Sequence, residues 1–339
     1  MKTDLSLKKI DLFKKDIFSY HQDIYVKKRS LSLNSINDYL IKKKKIKKKI
    51  KKNILQLKSK LSLNSEIYLF KNGNKKNILK VNLLEQKSFK NKEIRKINFL
   101  TKNLKFLSCP YDIFDFQKKR HELIQFIEGK IFNGNLNEFI RILKLYNKFF
   151  LKKKNNDFKK VEYFTQKEEK NLKRFYHQNF PNNKYMKLVI NEWDRLKFQF
   201  KNKKKIKKIL FHNDIHPKNV LIKKDGNIVL LDYQSYKQVV PEIAFSYSLL
   251  KMTRQVVSKS KKSLNKRILS EIKKKVKKYN FCVNKWNLSV SDLAIMEILR
   301  RICIIIKIKN IYIKNKVLII LIRNLLEAHY LFGKIRLNK

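Results

Sequence analysis

The chain has 339 residues and a formal net charge of +56, from 83 Lys and Arg residues against 27 Asp and Glu residues. This length gives room for a two-lobed enzyme with a sizeable core. Only 12 of the basic residues are Arg, while Gly, Pro and Ala number 5, 4 and 3. Residues with AT-rich codons are enriched throughout, so an AT-rich genome explains the charge better than a specific nucleic-acid partner does. The positive field would still attract nucleotides, RNA and acidic membranes nonspecifically.

Cysteine usage and hydropathy argue against a disulfide-stabilised protein, a protein with a signal peptide and a membrane-spanning protein. The three cysteines show no metal-ligand spacing, and their odd number argues against a disulfide framework. Charges interrupt the apolar pairs of the N-terminal segment, unlike those of a signal peptide. The longest apolar stretches, 302–306 and 317–322, fall well short of the roughly 20 residues of a membrane span. We therefore expect a cytoplasmic protein without a membrane span.

Residues 1–60 read as a basic N-terminal extension that is partly helical. Within it, Lys42–Lys52 is a run of lysines in which Ile46 and Ile50 are spaced as on one helix face. A solvated helix or linker is the favoured interpretation, and contact with RNA or an anionic lipid surface is the alternative.

Residues 61–128 are predicted to form a small antiparallel sheet with one helix. Two β-prone runs, at 67–70 and 77–81, flank an Asn-Gly-Asn turn and predict a hairpin. A helix follows near Glu93, and two further strands precede an acid-Gly hinge at Gly129.

Residues 129–339 are predicted to be mostly helical. Helical periodicity marks 135–209, including a segment around Trp193, and returns after residue 241 as far as 331. The sequence therefore predicts an α+β protein in which a small sheet domain precedes a larger helical domain.

The stretch 210–232 interrupts the helical region with a second hairpin. Apolar β-branched runs flank Asp225-Gly226, a pair typical of two-residue type I′ turns, whose central residues both need positive φ. This turn would place Asn219 opposite Asp232 at the open end of the hairpin.

A third oxygen-bearing side chain, that of Asp214, lies in the loop that enters this hairpin. Two carboxylates and an amide supply the hard oxygen ligands that Mg²⁺ and a triphosphate need. Singly, Asp214 and Asn219 could simply shape turns. Their occurrence together with His212 and Asp232 favours a catalytic site.

His212, Asp214 and Asn219 in HNDIHPKN, with Asp232 in LLDYQ, resemble the aminoglycoside phosphotransferase and choline kinase family. That family has a two-lobed protein-kinase-like fold and the motif H-G-D-x-H-x-x-N, in which Asn213 here replaces Gly. The resemblance implies that Asp214 is the catalytic base and that His212 holds the catalytic loop together. It also implies that Asn219 and Asp232 are Mg²⁺ ligands.

The same resemblance implies a set of nucleotide contacts in the small lobe. Lys80 would grip the α- and β-phosphates of ATP, and Glu93 would orient Lys80. Asn64 and Ser65 would lie at the phosphate-covering loop, and backbone groups from Gln125 to Ile127 would hold adenine.

The predicted function is transfer of the ATP γ-phosphate to a hydroxyl of a small molecule. From residue 241 onward there are only five carboxylates, too few for a polycationic antibiotic, so a neutral or anionic sugar, an amino sugar or a choline-like amino alcohol is favoured. One alternative is a kinase-fold module that binds nucleotide without chemistry, because the loop at 61–65 has no Gly. The other is an RNA- or membrane-associated scaffold that uses the Lys runs.

Overall fold

The computed structural model describes eleven segments of the chain. These are residues 55–57, 65–72, 75–82, 91–116, 119–152, 163–200, 209–259, 270–272, 274, 288–309 and 311–332. Apart from 55–57, the predicted extension over residues 1–60 lies outside them, as does Asn64.

The chain divides into two compact units. The sheet unit contains the described residues up to Ile131 together with Lys218–Tyr233. The helical unit contains the described residues of Phe132–Pro217 and those from Gln234 onward. The second hairpin, which the sequence places within 129–339, therefore groups with the sheet.

The sheet unit is built on a five-stranded antiparallel sheet of order β1-β2-β3-β5-β4, with helix α1 between β3 and β4 in the chain. Leu79 and Val81 alternate with the half-buried Lys80 along β3, the period-2 pattern that predicts a strand with one buried face. The predicted hairpin is present, with Asn72 paired to Lys75. The bounds are β1 Leu55–Leu57, β2 Ser65–Asn72, β3 Lys75–Asn82, α1 Asn91–Asn103, β4 Pro110–Phe116 and β5 Lys119–Gln125.

The second hairpin has a different turn from the predicted one. Strands β8 (Val220–Ile222) and β9 (Ile228–Leu230) pair so that Ile222 lies opposite Ile228. The Gly226 N–H donates to the Lys223 carbonyl at 2.9 Å, and Gly226 alone in the turn has a positive φ, of 77°. This is a three-residue loop, a type I turn followed by a left-handed Gly.

The physical reason for this turn lies in the Asp225 side chain, which accepts a hydrogen bond from the Asn227 N–H at 2.9 Å. Such a bond favours a type I turn over the mirror-image turn. The register shifts by one residue as a result, and the Leu231 N–H donates to the Asn219 carbonyl at 2.8 Å. The predicted pairing of Asn219 with Asp232 is therefore wrong.

Gly129 is required by a close backbone approach. The short strand β6 (Lys130–Ile131) pairs with β8, bringing Lys130 opposite Ile222. A Cβ on Gly129 would stand only 2.6 Å from the Ile222 carbonyl oxygen. Only a residue without a side chain fits at this position.

The helical unit packs around α5 and α6, which contact each other, with α7 against α6 and α2 against α5. Helix α6 begins at a capping box formed by Ser289 and Asp292. Trp193 on α4 is buried, as expected of a core residue. The bounds are α2 Leu136–Lys152, α3 Gln166–Asn179, α4 Lys184–Phe200, β7 Ile209–His212, β10 Tyr236–Val239, α5 Pro241–Lys259, α6 Val290–Ile305 and α7 Ile311–Phe332.

Within the described segments, no helix has both the length and the apolar character that a membrane crossing requires.

Candidate active site

A short two-stranded ladder holds the loop that carries Asp214 in the helical unit. Strand β7 pairs with β10, which places His212 opposite Tyr236. One residue further, the Asn213 N–H donates to the Ser235 carbonyl at 2.9 Å. The buried His212 ring accepts the Asp214 N–H on Nδ1 at 3.3 Å. The backbone of Asp214 is thus fixed from both sides.

The Asp214 carboxylate is surrounded by positive charge. Lys251 Nζ donates to Oδ1 at 2.6 Å, and an Arg301 nitrogen lies 3.6 Å from the same oxygen. His216 Nε2 is 3.8 Å from Oδ2. Burial alone would raise the pKa of Asp214, but the charges of Lys251, Arg301 and His216 outweigh it and hold that pKa well below its usual range. Asp214 is therefore an ionised hydrogen-bond acceptor at neutral pH.

The two cations beside Asp214 share an aromatic support. Lys251 Nζ and Arg301 Cζ each lie 4.5 Å from the centre of the Tyr247 ring, within cation–π range. Lys251 follows Tyr247 by one helical turn on α5, so both side chains lie on one face of that helix.

Arg301 is further held by the buried Glu297, one turn earlier on α6. Arg301 Nε donates to Glu297 Oε1 at 2.8 Å, and Arg300 binds the same carboxylate through two nitrogens at 2.7 and 2.6 Å. Burial would raise the pKa of Glu297, but the hydrogen bonds and charges of Arg300 and Arg301 lower it. The carboxylate is therefore ionised and already bound.

Sequence reasoning missed Lys251, Arg301 and Tyr247. A signal was present for the arginine, because Arg is scarce in a chain where surface positions become Lys. The Arg300-Arg301 pair inside an apolar helix marks a place where a planar, multivalent cation is needed.

The predicted Lys80 lies at the centre of a polar cluster in the sheet unit. Its Nζ is 3.7 Å from Glu122 Oε2 and 3.5 Å from Asp232 Oδ1. Glu122 is fully buried, and its Oε1 accepts hydrogen bonds from Asn82 Nδ2 at 3.3 Å and from the Tyr233 hydroxyl at 3.2 Å. Lys80 is thus held between a buried carboxylate and a partly exposed one.

Sequence reasoning also missed Glu122. This residue belongs to the Lys80 cluster because strand β5 places it directly opposite Lys80. Glu93, the predicted partner of Lys80, lies in α1, and its side chain is outside the described part of the chain. Its pairing with Lys80 stays a prediction.

Asp232 and Asn219 lie at the open end of the second hairpin. Asp232 has φ of 63°, a left-handed conformation that Asp adopts more readily than most residues. Asn219 ends a short 3-10 turn that begins at Pro217. One carboxylate and one amide are hard oxygen donors suited to Mg²⁺, which takes its other ligands from phosphate and water. No group of three or more His, Cys, Asp or Glu able to hold a metal occurs among the described residues.

The predicted adenine and phosphate-loop contacts are only partly described. The Phe126 N–H donates to the Lys76 carbonyl at 3.1 Å, which extends the β3–β5 ladder beyond Gln125. Ser65 is the first residue of β2, but its side chain is outside the described part. The contacts of Ser65, and those of Gln125 to Ile127 with adenine, remain predictions.

Comparison with known proteins identifies the fold. The family model of the ABC1 atypical kinase-like domain matches residues 176–302. A spectinomycin phosphotransferase solved with ADP and spectinomycin matches with a TM-score of 0.58 at 13% identity, covering 88% of this chain and 95% of that one. This chain has a protein-kinase-like fold. It combines a small antiparallel-sheet region with a mostly helical remainder, as predicted.

A choline kinase and an ethanolamine kinase also have structures similar to that of this chain. Choline kinase from Cryptosporidium parvum matches with a TM-score of 0.53 at 12% identity, over 88% of this chain and 94% of that one. Plasmodium vivax ethanolamine kinase matches with a TM-score of 0.51 at 10% identity, over 96% of this chain and 97% of that one. No curated protein matches the sequence.

Proposed function

We propose that the protein is an ATP-dependent phosphotransferase that moves the γ-phosphate to a hydroxyl of a small molecule. The observation that carries the proposal is the contact of Lys80 with Asp232, since a strand lysine and a metal-binding aspartate act on the same phosphates in kinase-like folds. The structural neighbours support the reaction class, because they are kinases of choline, ethanolamine and an antibiotic.

The residues of the sheet unit would bind the nucleotide. Lys80 would bind the phosphates that are not transferred, and Glu122 would hold its ammonium in place. Asn219 and Asp232 would hold Mg²⁺, which would neutralise negative charge on the phosphates.

Asp214 would accept a hydrogen bond from the acceptor hydroxyl. Because its pKa is lowered, Asp214 is a weak base, so orienting the hydroxyl for in-line attack is the larger part of its role. His212, through its hydrogen bond to the Asp214 N–H, would keep the carboxylate in place.

The test is ADP release from Mg·ATP by the purified protein, offered amino alcohols, sugars, amino sugars, nucleosides and their phosphorylated or carboxylated analogues. We expect acceptor-dependent release that falls on the order of 100-fold or more in Asp214→Asn. Asp225→Asn, an equal change in an exposed turn, is the control and should retain activity. Undiminished release in Asp214→Asn would overturn the role of Asp214.

A second candidate is a kinase-fold module that binds nucleotide without transferring phosphate. Two observations favour it: the match to an atypical kinase-like domain, and the hydrogen bond from Lys251 that occupies Asp214. Mg·ATP binding with no phosphorylated product from any acceptor would decide for this module.

A further inference from the structure

The surroundings of Asp214 carry an excess of positive charge. Two carboxylates, those of Asp214 and Glu297, face four cationic side chains, which leaves two net positive charges before His216 is considered. The four cationic residues are Lys237, Lys251, Arg300 and Arg301. Burial and the charges of Arg300 and Arg301 lower the pKa of Lys237, which agrees with crowding of like charges.

Lys251 and Arg301 are positioned by the fold and remain partly exposed. Their side chains are 13% and 24% exposed. The Tyr247 ring and the buried Glu297 hold them beside Asp214, so little conformational freedom is lost when they bind a ligand. Two preorganised cations at the carboxylate that receives the hydroxyl form a binding site for an anion.

A cationic acceptor fits these surroundings poorly. In choline or ethanolamine the amine is two carbons from the hydroxyl, so an acceptor hydroxyl at Asp214 would bring its amine close to Lys251 and Arg301. Like charges at such distances repel.

Three of the five carboxylates from residue 241 onward are already engaged by arginines. Glu297 is bound by Arg300 and Arg301, and the buried Glu327 accepts from Arg323 at 2.7 Å and from Arg254 at 3.0 Å. Asp292 accepts from Arg195 at 2.6 Å. These three carboxylates are balanced by arginines, whereas the groups around Asp214 keep an excess of positive charge, which repels an amine.

We propose that the acceptor carries an anionic group, a phosphate ester or a carboxylate, which Lys251 and Arg301 bind while its hydroxyl lies at Asp214. This inference rests on the proposed phosphotransferase function and narrows its substrate class. The acceptor oxygen forms a bond to the γ-phosphorus, and the bond from that phosphorus to the β–γ bridging oxygen breaks. ADP leaves with the electron pair, and the hydroxyl proton passes by way of Asp214 to water.

The experiment compares matched acceptors that differ in one anionic group. Glycerol is paired with glycerol 3-phosphate and with glycerate, and glucose with glucose 6-phosphate; choline and ethanolamine are the cationic probes. We expect kcat/KM for an anionic member to exceed that of its neutral partner about 30-fold or more. In Lys251→Met that ratio should fall about tenfold, with the KM for ATP unchanged.

Two variants separate a local site from other effects. Lys251→Arg keeps the charge and should keep the preference for the anionic member. Lys187→Met removes an equal charge from an exposed position on α4, and it should leave the preference intact. If Lys187→Met and Lys251→Met reduce the preference equally, the overall positive field causes it and the inference is wrong.

The inference and the proposed function fail in different ways. If choline or ethanolamine is preferred and Lys251→Met does not change that preference, the function stands and the anionic class is wrong. If no acceptor is turned over, the proposed phosphotransferase function is wrong. Calorimetric measurement of ligand binding then tests whether the anion site exists. Glycerol 3-phosphate must then bind the wild-type protein about tenfold more tightly than Lys251→Met, and equal binding overturns the site.

Discussion

The cluster around Lys80 predicts an asymmetric response to mutation. Lys80→Met removes the cation that lies 3.7 Å from the fully buried Glu122 carboxylate. Glu122→Gln leaves Lys80 with Asp232 at 3.5 Å and keeps an oxygen for Asn82 and Tyr233. Removal of the lysine should therefore destabilise the protein much more than neutralisation of the glutamate.

The size of the expected loss of stability follows from the distance between the two charges. Two unit charges 3.7 Å apart interact by roughly 4–5 kcal/mol at an effective dielectric constant near 20. Lys80 is 17% exposed, so water screens part of this energy. We expect a loss of about 2–4 kcal/mol for Lys80→Met and about 1 kcal/mol for Glu122→Gln. The double variant should lose less than Lys80→Met alone, because it no longer carries the buried Glu122 charge that Lys80 opposes.

The assay is equilibrium unfolding in urea, monitored by far-ultraviolet circular dichroism. It compares the wild-type protein, the two single variants and the double variant. Lys105→Met, an equal change at an exposed position of the sheet unit, is the control and should change the free energy of unfolding by less than about 0.5 kcal/mol. The reasoning is refuted if Lys80→Met costs no more than Lys105→Met, or if the double variant loses the sum of the two single losses.

Three further predictions concern a close packing contact, a left-handed turn residue and pH. In Gly129→Ala the new Cβ would stand 2.6 Å from the Ile222 carbonyl oxygen, and urea unfolding should show a loss of about 1–3 kcal/mol. Gly226→Asn, at φ of 77°, should cost less than Gly226→Val; a reversed order would contradict the left-handed turn. Because the folded pKa of Asp214 is lowered, its ionisation stabilises the protein above an unfolded pKa of about 3.9, and this contribution is lost as pH falls through the folded pKa. Asp214→Asn should therefore be less stable than wild type at neutral pH, with a gap that narrows below about pH 4, and a gap that widens there would contradict the assignment.

Local sequence patterns were enough to predict most of the fold. The turn at Asn72 and the apolar alternation of β3 predict the first hairpin, and the helical periodicity around Trp193 predicts α4; all are present. The second hairpin was predicted, but its register was wrong by one residue. The difference came from one side-chain hydrogen bond, that of Asp225 to the Asn227 N–H, which dipeptide preferences do not capture.

The candidate site was harder to predict from the sequence than the fold, because the site residues that were missed lie far along the chain from the residues that they contact. Lys80 could be placed from its strand, but Glu122 needs the pairing of β3 with β5. Lys251 and Arg301 reach Asp214 only through the packing of two helices that start well after the motif. The charge of Lys251 was also hidden among 83 basic residues, where composition gives no reason to single out one lysine.

The most direct test of phosphoryl transfer is phosphorus NMR of a reaction with Mg·ATP and the best acceptor. The account predicts one new phosphomonoester signal for each ADP formed, and formation of this signal that is slower on the order of 100-fold or more with Asp214→Asn. ADP with only inorganic phosphate would show hydrolysis without transfer. Either that result or a product that forms equally well in Asp214→Asn would contradict the account.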